Sequence, residues 1–148
     1  MNSSFFFTTD TATLAIFDLQ AIKHRITDTP DWWSIPDDEL KEVNEGNIAF
    51  FGLGDDGDYS IEIIDDIKQP DISLRIKAPS GQIFIGAGED TTGGDLEPDD
   101  SEYISGKKIS LEKGNYLILL KKNENNIQIS FIKSQYFANN LQEPIRLG

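Results

Sequence analysis

Two-residue alternation runs through much of this chain and restricts those stretches to β-structure. Tyr59, Ile61 and Ile63 alternate with Ser60 and Glu62; Ile72, Leu74, Ile76 and Ala78 alternate with Ser73, Arg75 and Lys77. Ile127, Ile129 and Phe131 alternate with Gln128 and Ser130. A helix would scatter these apolar side chains around its axis, whereas a strand gathers them on one face against a core. The polar partners then face water. Further strands are expected at residues 11–17, 47–53, 82–87, 108–112 and 116–122, about eight in all. Residues 117–120 are apolar on both faces, which marks a central strand.

The connections agree with this reading. Pro79-Ser80-Gly81 suits a tight turn, Lys113-Gly114-Asn115 separates two strands, and Asn123-Glu124-Asn125-Asn126 closes a hairpin. Helical signals are confined to the first third. Ser34, Pro36 and the acids Asp37, Asp38 and Glu39 form a helix N-terminal signature, Gly46 marks its end, and Leu40 and Val43 are the expected buried contacts. Leu19, Ile22 and Ile26 share the spacing of a shorter helix or turn. The expected fold is mainly β: an antiparallel β-sandwich or jelly-roll-like single domain over residues 1–148, with one or two short helices. No internal repeat is apparent.

Composition then limits function. The 148 residues include no cysteine and one histidine, which excludes disulfides, thiolate metal sites and cysteine nucleophiles. Residues 1–104 hold 23 acids and 6 bases, or −17; residues 105–148 hold 3 acids and 7 bases, or +4, and the two sum to −13. Such a surface repels nucleic acid and anionic membranes and attracts basic proteins. The first basic residue is Lys23, and Asp10 and Asp18 bracket the apolar stretch from Leu14 to Phe17, a poor signal peptide. No run approaches the ~18 apolar residues of a membrane span. A cytoplasmic protein that binds neither membrane nor nucleic acid is expected.

Several motifs invite chemistry and fail on context. Gly52-Leu53-Gly54-Asp55-Asp56-Gly57 matches G-x-G-x-x-G, but a strand follows where a dinucleotide site needs a helix, and Asp55, Asp56 and Asp58 would repel phosphates. A Gly- and Asp-rich hairpin loop is the expected structure. Gly57, third from Asp55, breaks the EF-hand calcium pattern. His24, within Lys23-His24-Arg25, is expected to pair with nearby carboxylates or to cap the short helix. No nucleophile accompanies it, so neither enzyme activity nor a cofactor or metal site is expected. Asp31-Trp32-Trp33 holds both tryptophans, which in an extended segment point to opposite faces. One can then fill the core where this turn closes an end of the sandwich, while the outer one is a candidate partner anchor or sugar-stacking platform. Gly88 to Ser105 forms an irregular acidic segment with Glu89, Asp90, Asp95, Glu97, Asp99, Asp100 and Glu102.

Thr9-Asp10-Thr11-Ala12, Phe17-Asp18, Lys23-His24-Arg25 and Asp31-Trp32-Trp33 resemble an uncharacterised family of small acidic bacterial proteins. That family is similar to the immunity proteins encoded beside polymorphic or type VI secreted toxins. The resemblance implies a non-enzymatic inhibitor of a cognate toxin and transfers no functional residue. Electrostatics supports the same partner independently, because toxins that attack nucleic acids carry basic surfaces. The expected contacts are the loop acids Asp55, Asp56, Asp58, Glu89, Asp90, Asp95, Glu97, Asp99, Asp100 and Glu102, with Trp32, Trp33 and Tyr103 as anchors. A carbohydrate- or calcium-binding β-sandwich module and a structural or assembly subunit are the alternatives.

Overall fold

A computed structural model of the chain describes residues 3–25, 35–88 and 106–147. Nine strands form two sheets among these residues: β1 (Ser3–Thr9), β2 (Thr13–Asp18), β3 (Ala49–Gly52), β4 (Gly57–Ile63), β5 (Ile72–Ala78), β6 (Gln82–Ala87), β7 (Gly106–Ser110), β8 (Gly114–Asn123) and β9 (Asn126–Ser134). The five-stranded sheet runs β1-β4-β9-β8-β5 and the four-stranded sheet β3-β2-β6-β7. Their facing side chains, among them Phe7, Ile61, Ile76, Ile118 and Ile129 from one sheet and Leu14, Ile16, Phe51 and Ile85 from the other, belong to one buried cluster. The expected β-sandwich is therefore the fold.

Alternation appears as predicted through β4 and most of β5, but β9 breaks it. Ser130, expected to face water, is buried and its hydroxyl donates to the Asp65 carbonyl, while Phe131 is half-buried. Tyr59, Ile61 and Ile63 of β4, Leu74, Ile76 and Ala78 of β5, and Ile127 and Ile129 of β9 are buried. β8 lies inside its sheet, between β9 and β5. Lys107 is exposed on the edge strand β7, and Lys133 is exposed and ion-paired to Glu112 at 2.6 Å. β2 and β6 are buried from Leu14 to Asp18 and from Ile83 to Ala87, as central strands covered on both faces are.

Three features depart from the sequence expectation. β1 is an additional strand; three consecutive phenylalanines hide its alternation, yet Phe7 points inward while Phe6 is 81% exposed. β4 and β9 pair in parallel, Ser60 opposite Asn126 and Ile63 opposite Ile129, whereas every other pair is antiparallel. The Gly52–Gly57 loop is not a hairpin: it carries the chain from one sheet to the other, as the 79–81 and 111–113 turns also do. Glu124-Asn125 does close the predicted hairpin, with Glu124 at φ 57.

Two crossovers share a device. The Tyr59 hydroxyl donates to the Asp55 carbonyl and the Tyr116 hydroxyl to the Glu112 carbonyl, each at 2.6 Å. The sequences are Asp55-Asp56-Gly57-Asp58-Tyr59 and Glu112-Lys113-Gly114-Asn115-Tyr116, an acid, any residue, glycine, Asp or Asn, then tyrosine. Gly57 and Gly114 stand at φ 127 and 151, where a side chain is strained. A short internal signature is thus present after all.

The first helix, α1 (Leu19–Ile22), passes into a 3-10 turn over Lys23–Arg25. Asp18 caps it and also grips the 79–81 turn. Its carboxylate accepts from Gln20 N at 3.0 Å, Ser80 N at 2.8 Å, Gly81 N at 3.0 Å and the Ser80 hydroxyl at 2.8 Å. The second helix, α2 (Pro36–Asn44), starts at a proline and buries Glu39, Glu42 and Val43, leaving Leu40 half-buried. His24 Nε2 meets Glu42 Oε1 at 2.8 Å, so the predicted internal pairing exists, and Asn47 Nδ2 donates to the same oxygen.

After β9 the chain becomes a strap. Asn139 donates through Nδ2 to Val43 O and Arg75 O and accepts from Arg75 N, so it joins α2 to the outer edge of β5. Asn44 and Leu141 exchange two further bonds. Gly52 N then donates to Ile145 O at 2.9 Å and Leu147 N to Gly52 O at 2.7 Å, which covers β3. Both covered strands are sheet edges that would otherwise present open hydrogen-bonding groups.

Candidate functional site

One end of the sandwich collects the acidic connections. β1 ends there, with Thr9 opposite Gly57; β2 starts there, with Thr13 opposite Gly52; and the β8–β9 hairpin closes there beside Ser60. Leu14 pairs with Ala87, and Gly86 with Gly106. The described flanks of the 89–105 segment, Gly88 and Gly106, therefore stand beside the stem of the 53–56 loop. A Cβ on Gly88 would come within 2.7 Å of the Thr13 side chain, so this stem is tightly drawn.

Asp10, Asp55, Asp56, Asp58 and Glu124 are all exposed at this end. Asp58 accepts a hydrogen bond from the Thr8 hydroxyl. Burial, followed by the Asp55 and Asp56 charges, raises the Tyr59 hydroxyl above the ordinary tyrosine range, so it stays protonated and keeps its bond to the Asp55 carbonyl. Among the described residues, cations at this end include Lys122, whose ammonium lies 5.9 Å from the Tyr59 ring centre, Arg146 of the strap and Lys107, next to the flank residue Gly106.

The sequence candidates divide sharply. The structure places Asp55 and Asp56 on the crossover loop but Asp58 in β4, paired opposite Thr8, and brings the two flanks of the second acidic segment to the same end. Glu89, Asp90, Asp95, Glu97, Asp99, Asp100, Glu102, Tyr103, Trp32 and Trp33 lie outside the described residues. No group of three or more His, Asp or Glu side chains fit to hold a metal ion occurs among the described residues.

A cavity of about 400 Å³ opens beside the crossover, lined by Thr11, Phe50, Gly52, Gly54, Arg146 and, from α2, Glu39. Glu39 is only 8% exposed. Its carboxylate has neither a hydrogen bond nor an ion pair among the described residues; Arg146 acts on it only at longer range. Sequence reasoning took Glu39 as one of three acids marking a helix start. The signal that distinguishes it is its place one turn before Val43, on the face that packs inward.

Burial holds the Glu39 carboxyl above the ordinary glutamate range, and the Arg146 guanidinium offsets this only in part. The folded chain therefore binds that proton more tightly than the unfolded chain. Its contribution favours folding at low pH and is lost as pH rises through the raised value. Glu39→Gln is expected to melt at a higher temperature than wild type at pH 7. The difference should vanish below the unperturbed glutamate pKa of ~4.3. Calorimetric scans at the two pH values check this, and a lower melting temperature at pH 7 would contradict it.

The chain belongs to DUF6386. This is a family of unknown function, and the match extends over residues 1–147. No curated protein matches the chain. Among solved structures, the DUF6386 chain is similar to ComJ from Bacillus subtilis, an inhibitor of the DNA-degrading activity of NucA, with a TM-score of 0.52. The identity is 13%, covering 90% of this chain and 99% of ComJ. It is also similar to crocagin biosynthetic gene J, with a TM-score of 0.50 and 13% identity over 88% of this chain and 96% of that one. At such identities the likeness is one of fold. No helix among the described residues of this DUF6386 member is long and apolar enough to cross a membrane.

Proposed function

We propose that this DUF6386 protein is a single-domain, non-enzymatic inhibitor that neutralises a cognate bacterial toxin by occluding its active site. The observation that carries the reading is the gathering of acidic connections at one end of the sandwich. Asp10, Asp55, Asp56, Asp58 and Glu124 stand there, beside the flanks of a segment with seven further carboxylates between Glu89 and Glu102. An enzyme that cuts nucleic acid presents a basic groove to its substrate, and an acidic end complements that groove. The shared fold with ComJ, an inhibitor of a nuclease, supports the same reading by analogy.

Function as an immunity protein to a type VI or other secreted toxin, in the cytoplasm where nucleic acid is the target, follows from the same logic. The rim acids accelerate encounter, and apolar anchors such as Trp32, Trp33 and Tyr103 set the lifetime of the complex. Co-expression with the product of the neighbouring gene tests the reading, with restored growth expected. Replacing Asp55, Asp56 and Asp58 by Asn should slow association about tenfold at low ionic strength, with the gap closing as salt rises. Stopped-flow association across a salt series measures this. Rates and salt slopes identical to wild type would remove the acidic end from the mechanism.

A further inference from the structure

We infer that the cavity beside Gly52 receives one lysine or arginine side chain of the toxin, with the Glu39 carboxylate as its counter-ion; this inference rests on the inhibitor reading. A carboxylate that is more than nine-tenths buried normally has its oxygens satisfied. Glu39 lines an open cavity of about 400 Å³ and receives no hydrogen bond or ion pair from the described residues. Within the folded chain only the more distant Arg146 charge offsets the desolvation of that group in part, whereas an incoming cation would supply both charge and donors.

Charge decides the sign of the occupant. Arg146 is the one cation among the described lining residues, but Glu39 stands in the same wall and the acidic end of the sandwich surrounds the cavity's mouth in sequence. Asp10 precedes the lining residue Thr11, and Asp55 and Asp56 follow the lining residue Gly54. An anion would approach through that field against repulsion, while a cation is drawn in. The cavity suits a long basic side chain in a second respect. Its volume of about 400 Å³ admits the methylene stem, and Glu39 receives the head group.

Arg146 itself does not fill this role. Its Cδ lies across Gly52, where a Cβ would meet it at 2.9 Å, and its Nη1 donates to the Ile145 carbonyl. The strap therefore holds the guanidinium at the cavity's side, out of ion-pair contact with Glu39. Gly52 leaves room for that crossing.

Small probes test the cavity without the toxin. Ethylguanidinium chloride, n-butylammonium chloride and sodium propionate are titrated into ¹⁵N-labelled full-length protein at constant ionic strength. The cations are expected to give saturable amide shifts at Thr11, Gly52 and Gly54, weakened on the order of tenfold in Glu39→Gln, an isostere that keeps the cavity's shape. Propionate should give none. Absence of saturable shifts with both cations, equal binding by Glu39→Gln, or propionate binding that disappears in Arg146→Gln would each overturn the inference. In parallel, Glu39→Gln should weaken inhibition of the neighbouring gene product by a similar factor, and unchanged inhibition would also overturn it. If wild type inhibits and the cavity takes no cation, this inference fails and the inhibitor reading stands. If wild type inhibits nothing, the inhibitor reading fails first.

Discussion

Asp18→Ala is expected to destabilise the fold by about 3 kcal/mol, because it removes a fully buried acceptor shared by four donors, of which the Gly81 N–H is itself buried. The carboxylate is fully buried and accepts from Gln20 N, Ser80 N, Gly81 N and the Ser80 hydroxyl. These donors belong to two places far apart in sequence, the start of α1 and the crossover from β5 to β6. The crossover is itself wedged. Leu111 N donates to Gly81 O, and a Cβ on Gly81 would lie 2.3 Å from Leu111 O. Loss of the carboxylate therefore loosens two sheet-to-sheet connections together. Ser80→Ala, which removes only the hydroxyl donor, should cost about 1 kcal/mol. Urea unfolding of both variants measures the contrast, and a loss below about 1 kcal/mol for Asp18→Ala would show that the turn holds without its acceptor.

Gly46→Ala should cost about 3–4 kcal/mol, by a different route. Gly46 stands at φ 76, and a Cβ there would lie 2.0 Å from the Phe137 carbonyl oxygen. The left-handed backbone alone costs about 1–2 kcal/mol for a residue with a side chain. Relief of the clash must push the strap outward at the point where Gly46 also receives the Lys77 N–H at 2.7 Å. The damage should be directional: amides of Asn139, Leu141 and Leu147 should exchange faster with solvent, while those in the middle of β8 change only through the global loss. Hydrogen exchange by NMR separates the two. Uniform acceleration would mean that the strap is not a separately releasable unit.

The two sheets were legible in the sequence to the extent that they obey local rules. Alternation found β4, β5 and β9 because each has one face in the core. It missed β1, where Phe5, Phe6 and Phe7 are consecutive and only pairing with β4 decides which one is buried. The Gly52–Gly57 loop was legible as a loop but not as a crossover, since the sheet a strand joins is set by partners far along the chain. The same limit concealed the parallel β4–β9 pair. At the site, exposed acids could be read directly, whereas the burial of Glu39 depends on how α2 meets β3 and the strap. His24 was easier, because a lone histidine in a small basic island has carboxylates nearby to choose from, and Glu42 takes it.

The place of β9 in its sheet has a consequence in time. It is the last described strand to leave the ribosome, yet it sits between β4 and β8. Until residues 126–134 emerge, the β1–β4 and β5–β8 pairs are separate halves, each with an open apolar margin. Closing a parallel pairing of residues 60–63 with 126–129 brings together segments distant along the chain, a slow step for any β protein. A nascent chain that stalls before that point leaves the edges of β4 and β8 unpaired and is a candidate for aggregation.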